Sequence, residues 1–99
     1  MPKPENPEFD ELLLSRSRMG ILSSLIGGDE IDFTHLRNEL ELSDGNLSVQ
    51  IRKLEEAGYI KVTKEFVERK PRTFCKITAK GRNAMTKLLK HLEELIEPD

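Results

Sequence analysis

Apolar residues between Phe9 and Ile26 fall at Phe9, Leu12, Leu13, Met19, Ile21, Leu22, Leu25 and Ile26, the three-and-four spacing of helix buried along one side. The polar run Ser15–Ser17 interrupts it, so a serine there is expected to cap a second helix, which Gly27-Gly28-Asp29 ends. Ile31 to Phe33 is too short for much more than one bridge of strand. Thr34 then reads as the N-cap of a short helix reaching about Leu40, with Leu36 and Leu40 facing inward. A further helix is predicted over about residues 44–57. Ser43 caps it, and Asp44 sits at the positive end of its dipole. Leu47, Ile51 and Leu54 form one narrow apolar stripe along it, and Gly58 stops it in the left-handed conformation. Tyr59 to Glu68 is rich in strand formers and alternates in part, Arg69 to Arg72 reads as a basic turn, and Thr73 to Ile77 returns with Thr73, Cys75 and Ile77 on one face. Thr78 caps a last helix, about 79–97, in which Met85, Leu88, Leu89, Leu92, Leu95 and Ile96 fall within about a third of the circumference. The three prolines of Met1–Pro7 mark residues 1–8 as a flexible arm, leaving one mainly helical α+β domain over 9–99.

Two short helices joined by about three or four residues, the second with a polar outer face, form the layout of a helix-turn-helix. Generic helical hairpins share it, and the continuation narrows the choice. Helix, short strand, helix, helix and then a basic two-stranded hairpin is the order of a winged helix-turn-helix domain.

Composition first reads against a nucleic-acid partner, since 16 basic and 18 acidic side chains give the 99 residues a net charge of −2. The distribution reverses that impression. Residues 1–40 carry four bases against eight acids, residues 41–82 ten against six, and residues 83–99 two against four. From Arg69 to Arg82 there are six bases and no acid, and a local patch can govern contact with phosphates whatever the total. The other chemistry is sparse. One cysteine excludes an internal disulfide framework and fits a reducing cytoplasm, and Cys75 is expected to act as a small buried hydrophobe. His35 and His91 stand alone, and no nucleophile–base pair, metal-ligand spacing or glycine-rich phosphate loop occurs, so no enzyme, metal or cofactor is expected. No apolar run approaches the ~18 residues of a membrane span, and MPKPENPEF has no apolar signal core.

The segments SRSRMGILSSLI, LSDGNLSVQIRKLEEAGYIKV and KPRTFCKITAKGRNAM together resemble the single-domain winged-helix transcriptional regulators of bacteria and archaea related to the MarR and ArsR groups. The resemblance covers roughly residues 15–90. Its most specific part is the G-N-L-S helix followed by L-E-x-A-G-Y-I and, after the wing, I-T-x-x-G-R. It implies a homodimer that binds pseudo-palindromic double-stranded DNA and regulates transcription. The paired ligands of the metal-sensing members are missing, so metal sensing is not carried over.

On the helix over 44–57, Gly45, Val49, Arg52, Lys53 and Glu56 point away from the apolar stripe, with Asn46, Ser48 and Gln50 on its flanks. In a major groove, Asn46 and Gln50 carry the amide donor and acceptor that match adenine, Arg52 can fork onto guanine, and Val49 can touch a thymine methyl. Gly45 allows close approach of the backbone, and Ser48 and Lys53 suit phosphates. In the wing, 68–73, Arg69, Lys70 and Arg72 are expected on flanking backbone or in the minor groove. Arg16 and Arg18 suit either further phosphate contacts or ion pairs with the acidic N-terminal segment. The seam of a dimer is expected from Met85, Leu88, Leu89, Leu92, Leu95 and Ile96, with Phe9, Leu12 and Leu13 alongside, because a three-helix winged domain is already closed without the last helix. His35 is expected on the surface and His91 at the rim of that seam. Two alternatives stay open: a winged helix used for protein contacts in an assembly, and a sensor whose small-molecule effector sits between the N- and C-terminal helices.

Overall fold

A computed structural model describes residues 9–96; the predicted arm at 1–8 and residue 97, the expected end of the last helix, lie outside the described residues. A short 3-10 turn, Glu11–Leu13, precedes α1 (Arg16–Leu25), β1 (Ile31–Asp32), α2 (Phe33–Leu40), α3 (Asp44–Glu56), β2 (Ile60–Val67), β3 (Lys70–Ile77) and α4 (Ala79–Ile96). The break in the first apolar run is a cap: Ser15 Oγ accepts from the Arg18 amide at 3.2 Å. Ser43 caps α3 in the same way through the Asn46 amide at 3.0 Å, and Gly58 follows α3 with φ +83°.

Helix α2 is capped by Asp32 and not by Thr34. Asp32 is the last residue of β1, its Oδ1 accepts from the His35 amide at 2.7 Å, and the helix opens at Phe33. A carboxylate at the end of a strand that runs straight into a helix competes better for those amides than a hydroxyl two residues later. The turn between α2 and α3 places Glu41 at φ 55°, a left-handed residue where glycine is commoner.

The antiparallel sheet has the order β1-β3-β2. Ile60 stands opposite Ile77, Val62 opposite Cys75, and Val67 opposite Lys70. That register moves the reversal from the expected Arg69–Arg72 to Glu68–Arg69, both at positive φ (53° and 69°). Such a two-residue turn matches the twist of its strands, at a cost of about 1 kcal/mol or more per non-glycine residue. Lys70, Pro71 and Arg72 therefore belong to β3. Pro71 fits because it is not in a closely hydrogen-bonded pair next to the turn, and β1 pairs β3 only at Phe74 and Cys75, so no ladder bond is lost.

Leu13, Ile21, Leu25, Leu36, Leu47 and Leu54 are fully buried in one core between the helices and the sheet. Cys75 lies in the same core, where burial, with Glu55 nearby, pushes its thiol up to about 11; at neutral pH it is a packed thiol and not a thiolate. Helix α4 is locked to the α3–β2 junction at its start. Thr78 donates from its amide to the Tyr59 carbonyl at 3.0 Å and from Oγ1 to the Gly58 carbonyl at 2.7 Å, and Oγ1 also accepts from the Gly81 amide at 3.0 Å. Arg82 Nη1 donates to the Ile26 carbonyl at 2.7 Å, a cation on the negative end of α1.

The N-terminal turn is tied down by Tyr59, whose hydroxyl donates to Asp10 Oδ2 at 2.6 Å. That bond and the Leu12 amide hold Asp10 below the usual carboxylate range, while burial and Asp10 push the Tyr59 phenol up to about 12. A lowered acid stabilises the fold above its ordinary value of 3.8 and loses that contribution as pH falls through the folded value. A raised phenol stabilises it below 10.0 and loses that contribution as pH rises to about 12. Tyr59→Phe is expected to lower stability by about 1 kcal/mol at neutral pH and to flatten the alkaline limb; urea melts across that window measure it.

Candidate nucleic-acid interface

Along α3, Leu47, Ile51 and Leu54 face the core, which leaves Gly45, Asn46, Ser48, Val49, Arg52 and Lys53 exposed and Gln50 half-buried. On β2, Ile60 is buried and Val62 half-buried on the core side, Lys64 follows on the same face, and Phe66 beyond it is 77% exposed. Ser48, Arg52 and Glu55 of α3 and Lys64 and Thr73 of the hairpin line one shallow cleft of about 250 Å³, so Arg52 and Lys64 stand on the same side, with the Glu55 carboxylate beside them. Lys64 was not among the residues expected at the interface. The alternation from Ile60 through Val62 already placed it on the α3 side, and its own polarity hid that.

Two ion pairs and one histidine–carboxylate contact among the described residues sort the remaining polar groups. Arg37 pairs with Asp44 at 2.9 Å, Arg72 with Asp32 at 2.7 Å, and His35 faces Glu39 at 3.3 Å. The amide of His35 first, and Arg72 after it, hold Asp32 below the usual carboxylate range. Arg72 thus braces β3 against β1 and does not sit at the wing tip. Arg69 and Lys70, at and beside the turn, do, and with Arg52, Lys53 and Lys64 they stand outside those pairs. Arg18 turns inward, to the Leu12 carbonyl and to Gln50, and takes neither of the two places expected for it. Gln50 in turn bonds Asn46, so it is part of a side-chain chain along α3 and not an outward reader.

The apolar seam divides in two. Leu13, Met85 and Leu88 are buried within one chain, because α4 packs its first half on the domain; those three are core and offer no surface to a second copy. Phe9 and Leu12 pack partly on the same core, and Phe9 lies against the His91 ring at 4.9 Å between centroids. Beyond Leu88 the helix keeps the Phe9–His91 contact but leaves its apolar stripe bare, with Leu89 56%, Leu95 68% and Ile96 76% exposed and Leu92 exposed between them.

No helix among the described residues is long and apolar enough to cross a membrane. Residues 17–96 match the family model described as a winged helix DNA-binding domain. An uncharacterized protein of Methanocaldococcus jannaschii is 36% identical over 78 residues, 79% of this chain and 85% of that protein. A transcriptional regulator homologue from Pyrococcus horikoshii superposes with a TM-score of 0.81 at 32% identity, covering 88% of this chain and 86% of that one. A MarR-family transcriptional regulator from Silicibacter pomeroyi shares the fold alone, with a TM-score of 0.66 at 22% identity over 83% of this chain and 54% of that one. Fold order, the polar face of α3, the basic hairpin and these matches agree: the chain belongs to the winged helix DNA-binding domain family, on the fold of the winged-helix transcriptional regulators.

Proposed function

We propose that this protein is a homodimeric, sequence-specific DNA-binding regulator of transcription. The observation that carries the reading is the cleft in which Arg52, on the exposed polar face of α3, and Lys64, on the wing hairpin, come together. A helix in the major groove reads base edges chiefly with its N-terminal half, here Gly45 to Gln50, with Arg52 just beyond it. Arg69 and Lys70 then reach the flanking phosphates or minor groove. Only Val49 is a large apolar residue exposed on α3, which favours DNA over a protein partner on that face.

The outer half of α4 is suited to the dimer contact. Leu89, Leu92 and Ile96 repeat at three and four, and paired across a two-fold axis they cover the stripe that the monomer leaves bare. Leu89→Glu with Leu92→Glu is expected to give monomers in sedimentation velocity while leaving the helical content intact; a dimer of unchanged stability would rule out this seam. Selection from a random duplex library tests the function. An inverted repeat with half-sites about 34 Å apart should be enriched, and no enrichment would count against sequence reading.

A further inference from the structure

Asn46 and Gln50 are one turn apart on α3, and Gln50 Nε2 donates to Asn46 Oδ1 at 2.9 Å. Gln50 Oε1 accepts from Arg18 Nη1. Arg18 is itself anchored, since its Nε donates to the Leu12 carbonyl at 2.6 Å. A guanidinium has donors and no acceptor. The group that Gln50 turns to Arg18 must therefore be its carbonyl, which sends its amide nitrogen to Asn46. That nitrogen in turn requires the Asn46 oxygen, and the Asn46 amide nitrogen remains for whatever lies outside.

An unconstrained asparagine can offer a base either its donor or its acceptor by flipping. Here a residue 32 positions away in α1 removes the choice. We propose that Arg18 is a specificity-determining positioning residue, which sets the hydrogen-bond polarity of Gln50 and Asn46 so that Asn46 presents a donor to the major groove. The proposal rests on α3 being the DNA-reading helix. It replaces the two-point adenine match expected from the amide pair with preference for an edge of acceptors: a keto base, guanine through O6 and N7 or thymine through O4, with adenine met only at N7 beside its own N6 donor. Cytosine, whose major-groove edge offers a donor, is disfavoured at that position.

The test is library selection with the full-length chain, comparing wild type with Arg18→Lys, Arg18→Met, Arg18→Glu and Asn46→Asp. Wild type should favour a keto base at one position of each half-site, on the order of tenfold. Arg18→Lys, still only a donor, should keep that preference, and Arg18→Met should lose it. Arg18→Glu, only an acceptor, should turn Gln50 and then Asn46 around and move the preference to an amino base, cytosine or adenine. Asn46→Asp, on an exposed first-turn residue that does not touch α1, should move the same position the same way even if Arg18→Glu fails to fold. An unchanged preference in Arg18→Met, or in Asn46→Asp, overturns the positioning role while DNA reading stands. No enrichment by wild type overturns DNA reading and the proposal together.

Discussion

Gly81→Ala is expected to destabilise the fold by about 3 kcal/mol, although alanine is the better helix former by about 1 kcal/mol. A Cβ at Gly81 would lie 2.2 Å from the Tyr59 carbonyl oxygen, 3.0 Å from its carbon and 3.1 Å from Ile77 Cγ1. The carbonyl cannot simply move aside, because it accepts the Thr78 amide at 3.0 Å. Either α4 lifts off the start of β2 or that bond breaks, and Ile77 beside it is core. Overpacking against a side chain costs about 1–3 kcal/mol, and a backbone neighbour puts this case at the upper end. Gly45 is the control: a Cβ there meets nothing within 4 Å, so Gly45→Ala should leave stability unchanged or raise it by up to about 1 kcal/mol. Urea melts of both variants give the comparison. A Gly81→Ala protein as stable as wild type would contradict the close seat of α4 on the α3–β2 junction.

Removing the wing cations should be the largest change in binding. Arg69→Ala with Lys70→Ala takes away both bases beside the turn, and Arg72, held by Asp32, cannot replace them without giving up its ion pair. Affinity is expected to fall by on the order of a hundredfold at physiological salt, for selected and unrelated duplexes alike. The slope of log affinity against log salt should shrink by about one for each phosphate that is no longer neutralised. Arg52→Ala should behave differently, relaxing the preference at one base pair by on the order of tenfold more than it lowers affinity for unrelated sequence. Fluorescence anisotropy over a salt series separates the two patterns. Equal slopes for wild type and the wing variant would remove Arg69 and Lys70 from the interface.

Most of the fold was legible because its signals are local. Serines before α1 and α3, the glycine after α3 and the three-four stripes each depend on a few neighbouring residues. The errors arose where a distant partner decided the outcome. Asp32 displaces Thr34 as a cap because β1 ends there, and β1 exists only by pairing with Phe74 and Cys75. The wing turn tightened to Glu68–Arg69 because cross-strand register outweighed the turn propensity of Pro71 and the absence of glycine. The site followed the same rule. The outward positions of α3 could be read from helical phase, whereas the inward turn of Arg18, the pairing of Arg72 and the division of the α4 stripe at Leu88 all depend on tertiary packing. The net charge of −2 is the clearest case: it describes the whole chain and says nothing about the side that α3 and the wing share.

The most direct measurement is the ratio of affinities for a selected duplex and a scrambled duplex of equal length, taken with the full-length protein at physiological salt. A homodimer that reads base edges through α3 and braces itself with two wings should bind the selected duplex about a thousandfold more tightly or better. Equal affinities for the two would contradict sequence reading by this face, however tight the binding.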